Sequence, residues 1–269
     1  MLAVLLVGYG AIVATMVINQ RAYLYFPPRD YPFTPSQLRL AWEDLLLTTL
    51  DGVRIRAWWI PAGRPDAPVL MYLHGNGANL SSFVDIAASC HQHGLSFFAI
   101  DYRGYGTSEG TPTEQGLYRD ARAGYDWLAA RGAAGRTVLY GQSLGTAVAS
   151  WLAGQVRVAG LVLEAALPST WHMARIHYPW LLVPEFLVRD RYSTLAHLSA
   201  VTCPVLVIHG EQDEVSPVRF GRMVFAAAHE PKHFLSVPGT GHNDLRWNEP
   251  VIKGAILGFI DANVPGRVR

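Results

Sequence analysis

Cysteine is scarce in this chain. Only Cys90 and Cys203 occur among 269 residues, so no disulfide framework is implied, and both read as small buried side chains. Charge is scarce too. Charged residues make up 16% of the chain, and 22 basic against 21 acidic side chains leave no electrostatic case for nucleic acid as a partner. Internal repeats and low-complexity stretches are missing, which excludes a repeat architecture. Metal-ligand spacing is missing as well. His91-Gln92-His93 is accompanied by no further ligand set, so neither a metal nor an organic cofactor is expected.

Apolar residues fill the gap, at 50% of the chain, and this excess points toward a lipid connection. The length suits one domain with a large core. Residues 1–18 contain no charged side chain, about the minimum for crossing the hydrocarbon core of a bilayer. A cleaved signal would open with basic residues and close on small ones. Here no Lys or Arg precedes the run, and Thr15-Met16-Val17-Ile18-Asn19-Gln20 makes a poor cleavage site. Residues 1–20 are therefore expected to be an uncleaved transmembrane helix, with the membrane as a partner. Arg21, Arg29 and Arg39 follow it, so the positive-inside rule places the rest on the cytoplasmic side. If the segment were a signal instead, the protein would be secreted or periplasmic.

Residues 21–42 read as a connector, because Pro27, Pro28, Pro32 and Pro35 bar helix and inner strand. A single domain is expected over 43–269. Its first two strands, at 45–50 and 53–60, flank Asp51-Gly52, a type I′ hairpin signal. Unbroken apolar runs at 69–73, 96–100, 138–140, 159–163, 205–208 and 233–237 then alternate with helical stretches at 82–91, 113–130, 146–152 and 250–260. This is the pattern of an α/β fold: a mostly parallel eight-stranded sheet with an antiparallel N-terminal edge and helices on both faces. Residues 168–199 interrupt the alternation with a dense apolar insertion. Part of it must be crossover helix and core filling. Its surplus of large apolar side chains reads as a small cap, with Trp171 and Trp180 as candidate substrate-binding residues.

Gly141-Gln142-Ser143-Leu144-Gly145 lies between the run 138–140 and the helical stretch after it. A G-x-S-x-G between strand and helix is a nucleophile elbow, whose turn is too tight for side chains beside the serine. The serine hydroxyl needs a base, and the base needs an orienting acid. Chain order on such a scaffold is Ser, acid, His. Asp213, in the loop after the run 205–208, and His242, in the glycine-flanked loop after the last run, meet that order. Glu164 is a rival acid whose alternative role is to hold nearby loop backbone. The oxyanion donors are assigned to the backbone N–H groups of Leu144 and Asn76, with Gly75 as the adjacent possibility and a substrate-binding residue. His74 is read as a structural loop residue.

His74-Gly75-Asn76-Gly77, Asp101-Tyr102-Arg103-Gly104-Tyr105-Gly106, the elbow, His209-Gly210-Glu211-Gln212-Asp213 and Gly241-His242-Asn243 occur in that order. Together they resemble the α/β-hydrolase superfamily, and more narrowly its short-capped, often membrane-anchored branch of depalmitoylases and bacterial esterases. The resemblance runs from about residue 43 to the end. It implies a Ser143–His242–Asp213 triad acting on acyl esters or thioesters, with no catalytic role for Arg103. The chemistry expected is a serine hydrolase for small-molecule esters or lipids of medium or long acyl chain. A broad short-chain carboxylesterase and a peptidase of the same fold are the alternatives.

Overall fold

Runs of apolar sequence without polar alternation must be buried on both faces, and a sheet covered by helices on each side achieves this. The computed structural model, which describes residues 1–264, contains such a sheet. Its strands are β1 (Glu43–Thr48), β2 (Arg54–Ile60), β3 (Val69–Leu73), β4 (Ser96–Ile100), β5 (Thr137–Gln142), β6 (Gly160–Glu164), β7 (Val205–Gly210) and β8 (Lys232–Val237). The described residues form one eight-stranded sheet in the order β1-β2-β4-β3-β5-β6-β7-β8. The β1–β2 and β2–β4 pairs are antiparallel and all others parallel, as the apolar runs imply.

The helices are α1 (Leu2–Ile18), α2 (Gln20–Leu24), α3 (Val84–Gln92), α4 (Glu114–Ala130), α5 (Leu144–Ala153), α6 (Thr170–His177), α7 (Thr194–Leu198), α8 (Val218–Ala227) and α9 (Pro250–Asn263). Alternation along β3 divides the core between two faces. Val69, Met71 and Leu73 join the apolar side chains of α4, α5, α7 and α8, while Leu70 and Tyr72 join those of α3 and α9. A buried ion pair pins α4 to the sheet: Arg103, in the loop after β4, donates to Asp120 of α4 at 2.8 Å and to Asp51 of the opening hairpin at 2.8 Å.

Three expectations need correction. The hairpin turn is not type I′. Gly52 N–H donates to the Thr49 carbonyl (2.9 Å) and Thr49 N–H to the Val53 carbonyl (2.9 Å), which makes a three-residue loop with only Gly52 at positive φ, +81°. Asp51 is held by Thr49 and Arg103, so its side chain works as an anchor. Secondly, among the described residues no helix is long and apolar enough to cross a membrane. Helix α1 has 17 residues, about 26 Å at the helical rise, against about 30 Å of hydrocarbon. It stops where Asn19, Gln20 and Arg21 turn polar. Gln20 and Arg21 then bond to the segment before α7. Thirdly, α8 was not foreseen. It buries Phe220, Gly221 and Val224, an i, i+1, i+4 stripe too short to stand out in sequence.

Candidate active site

Ser143 is the N-cap of α5, at φ 50° and ψ −117°. Such a backbone is strained for any residue with a side chain, and it is imposed by what lies around it. A Cβ on Gly145 would come within 2.0 Å of the Leu73 carbonyl oxygen, and one on Gly141 within 2.5 Å of the Gly145 carbonyl oxygen. Glycine at both positions is what lets β5, α5 and the end of β3 close on each other. The turn is stitched on both sides. Ser143 N–H donates to the Glu164 carbonyl (2.9 Å), and Thr146 N–H to the Ser143 carbonyl (2.9 Å).

The residues that the sequence brings forward as nucleophile, base and acid meet here. His242 Nε2 lies 3.1 Å from Ser143 Oγ, and His242 Nδ1 lies 2.7 Å from Asp213 Oδ2. A carboxylate only accepts, so Nδ1 carries the ring hydrogen and the Nε2 lone pair faces the serine O–H. The loops that carry Asp213 and His242 are tied together. Gln212 N–H donates to the Thr240 carbonyl (3.0 Å), and Gly210 leaves room for that carbonyl, which would sit 2.3 Å from a Cβ.

Asp213 is buried and fully engaged. Its Oδ1 accepts from the N–H groups of Val215 (2.9 Å) and Ser216 (2.7 Å). Its Oδ2 faces both His242 and His209, the latter at 3.3 Å. Burial alone would raise its pKa. The hydrogen bonds from His209, His242 and the Ser216 backbone outweigh that and hold it below the ordinary carboxylate range. His209 is a residue to which the sequence reading gives no role. Its signal was its place at the end of β7, four residues before Asp213. Its Nε2 lies 2.6 Å from the Ser216 carbonyl, which fixes the ring against the acid.

Glu164, the rival acid, does not reach the histidine by any hydrogen bond in the structure. Its carboxyl accepts from Tyr140 OH and from Gln142 Nε2 (2.9 Å), and burial raises its pKa. With its main-chain carbonyl on Ser143 N–H, it braces the elbow from below. His74 is buried, and burial lowers its pKa to about 4; its Nδ1 lies 2.7 Å from the Gly75 carbonyl. Gly75 itself passes against Ser143, since a Cβ there would meet Ser143 Cβ at 3.3 Å. The Asn76 side chain is held by Tyr105 OH (2.9 Å) and by Phe26 N–H (3.3 Å).

Ser143 and His242 open on a cavity of about 760 Å³, within the range of small-molecule sites. Gly75, Asn76 and Leu144 border it beside the serine, and Leu167, Trp171 and Val183 form part of its apolar wall. Trp171 thus lies where the sequence places it. Trp180 does not: it is 51% exposed and outside the cavity lining, its carbonyl accepts from Tyr9 OH, and its ring meets that of Tyr178 edge-on.

A family model described as alpha/beta hydrolase fold matches residues 68–183. An uncharacterized protein of Mycobacterium tuberculosis is 38% identical over 246 residues, covering 88% of this chain and 87% of that protein. The human alpha/beta hydrolase domain-containing protein 17B is 32% identical over 239 residues, covering 86% of this chain and 77% of that protein. Among solved structures, an esterase of Pyrococcus furiosus is similar with a TM-score of 0.75 at 20% identity, covering 90% of this chain and 98% of that one.

Proposed function

Because the chain belongs to the alpha/beta hydrolase fold family, a scaffold that hosts many chemistries, its activity has to be argued from the site, and we propose a serine hydrolase of carboxylic esters or thioesters. The observation that carries this reading is the unbroken line Asp213–His242–Ser143 opening on a largely apolar cavity.

In this reading His242 Nε2 takes the Ser143 proton as Oγ attacks the substrate carbonyl carbon. Asp213, kept ionised by its donors, holds the imidazole in the Nδ1–H form and stabilises the imidazolium that results. The carbonyl oxygen gains the negative charge. Leu144 is the first residue of α5, so its N–H is one of the donors a helix leaves open at its start, and it is assigned to this oxyanion. The Asn76 N–H is the second donor, on the loop that Gly75 brings against the serine. His242 then passes its proton to the leaving oxygen or sulfur as the C–O or C–S bond breaks. Water, deprotonated by the same nitrogen, hydrolyses the acyl-serine and restores the hydroxyl. The size and apolar wall of the cavity favour medium or long acyl chains over acetyl.

Turnover of p-nitrophenyl octanoate tests the reading. Ser143→Ala is expected to lower it by roughly 10⁴-fold or more and to abolish fluorophosphonate labelling, with an unchanged circular dichroism spectrum. Full activity in that variant would remove Ser143 from the mechanism.

A further inference from the structure

An N-terminal tether needs only length, whereas the segment seen here is fixed in place and faces the site. Met16, Val17, Gln20 and Leu24 follow one helical stripe, are half-buried, and border the same cavity as Ser143 and His242. Their neighbours Thr15, Ile18 and Asn19 are exposed. We infer that this stripe is a working wall of the acyl-binding cavity, with Val17 a specificity-determining residue for chain length. The inference rests on the ester-hydrolase reading and names how that site selects its substrate.

The wall is held by polar bonds to one segment, 180–192. Tyr9 OH donates to the Trp180 carbonyl (3.1 Å) and accepts from Leu182 N–H (2.9 Å). Gln20 uses both ends of its amide: Nε2 donates to the Leu187 carbonyl (2.8 Å), and Oε1 accepts from Arg189 N–H (2.8 Å). Arg21 pairs with Asp190 at 2.8 Å, and the hydroxyls of Tyr25 and Tyr192 meet in the interior at 2.8 Å. Directly beyond Tyr25, Phe26 N–H reaches Asn76 on the loop beside the nucleophile. The N-terminal segment therefore bridges the cap on one side of the cavity and the oxyanion loop on the other. An acyl chain leaving the serine runs between them. Without the stripe, the cavity loses the part of its wall that α1 and α2 supply.

The test uses the full chain and p-nitrophenyl esters of 2, 8 and 16 carbons. Val17→Trp, which adds bulk inside the cavity, is expected to lower kcat/KM for the two longer esters at least tenfold and to leave acetate within twofold. Val17→Ala, which removes bulk, is expected to shift the 16-carbon to 8-carbon ratio upward. Leu5→Trp, on an exposed position of the same helix away from the cavity, should match the parent on all three esters. A uniform loss across the esters with Val17→Trp, or no change with both Val17 variants, overturns the wall. If the parent hydrolyses none of the esters, the hydrolase reading fails separately. Binding of 11-(dansylamino)undecanoic acid to the Ser143→Ala chain then decides the wall. At least tenfold weaker binding when Val17→Trp is added supports it, and equal binding overturns it.

Discussion

A carboxylate surrounded by two backbone N–H groups and two imidazoles has little freedom left, and Asp213 is that carboxylate. Its role in the proposed chemistry and its role in stability are separable by pH. In the folded protein its pKa lies below the ordinary value of about 4, so the unfolded chain binds the proton more readily. The stabilisation from Asp213 is therefore complete above about pH 4 and is lost as pH falls below it. Asp213→Asn is expected to lower kcat by roughly 10⁴-fold at neutral pH, as the orienting acid of a triad does elsewhere. It should also cost about 2 kcal/mol of stability there, the usual scale for hydrogen bonds to a buried charge. Urea unfolding of parent and variant between pH 3 and 7 checks the second part: the gap between them should shrink below about pH 4. A gap constant across that range would mean that the carboxylate is not preferentially ionised by the fold.

At the scale of elements, the elbow is where three pieces of main chain touch, and Gly145 is the point of contact. The atom that a Cβ would strike, the Leu73 carbonyl oxygen, is backbone and cannot swing aside. Gly145→Ala should thus part α5 from β3, costing about 3 kcal/mol and roughly 10 °C in melting temperature, with most activity lost because Ser143 moves. A thermal melt and an ester assay measure both; a melt within 2 °C of the parent would show that the two backbones have room to separate. This junction was legible in sequence because everything needed is local: two glycines, a strand before and a helix after. The same holds for the parallel strands, whose burial on both faces leaves unbroken apolar runs such as Val69 to Leu73. What could not be read depends on contacts between distant residues. The bonds that seat the N-terminal segment against the cap join residues 167 to 173 apart, and the segment they hold borders the cavity. His209, by contrast, sits only four and seven residues from its partners Asp213 and Ser216, and its place at the end of β7 is the signal it offers. The hairpin departs from type I′ because its loop takes in Leu50 as a third residue, while Asp51 is anchored on Arg103, far along the chain.

For the whole molecule, the placement of the three chemical groups follows from strand order. The hydroxyl stands at the C-terminal end of β5, flanked by β3 and β6 in the middle of the sheet, where sheets of this kind gather their functional groups. The carboxylate follows β7. The imidazole follows β8, the last strand, which is bonded to β7 alone and is only half-buried for most of its length. Cohesion is thus unequal along the line: Ser143 follows a strand buried along almost its whole length, and His242 follows an edge strand that is mostly half-buried. Warming should loosen His242 first, since regions with fewer buried contacts open at lower free energy. Catalysis is then expected to fail before the fold does, with the ester rate falling at temperatures where the far-ultraviolet signal is still that of the intact protein, and recovering in full on cooling.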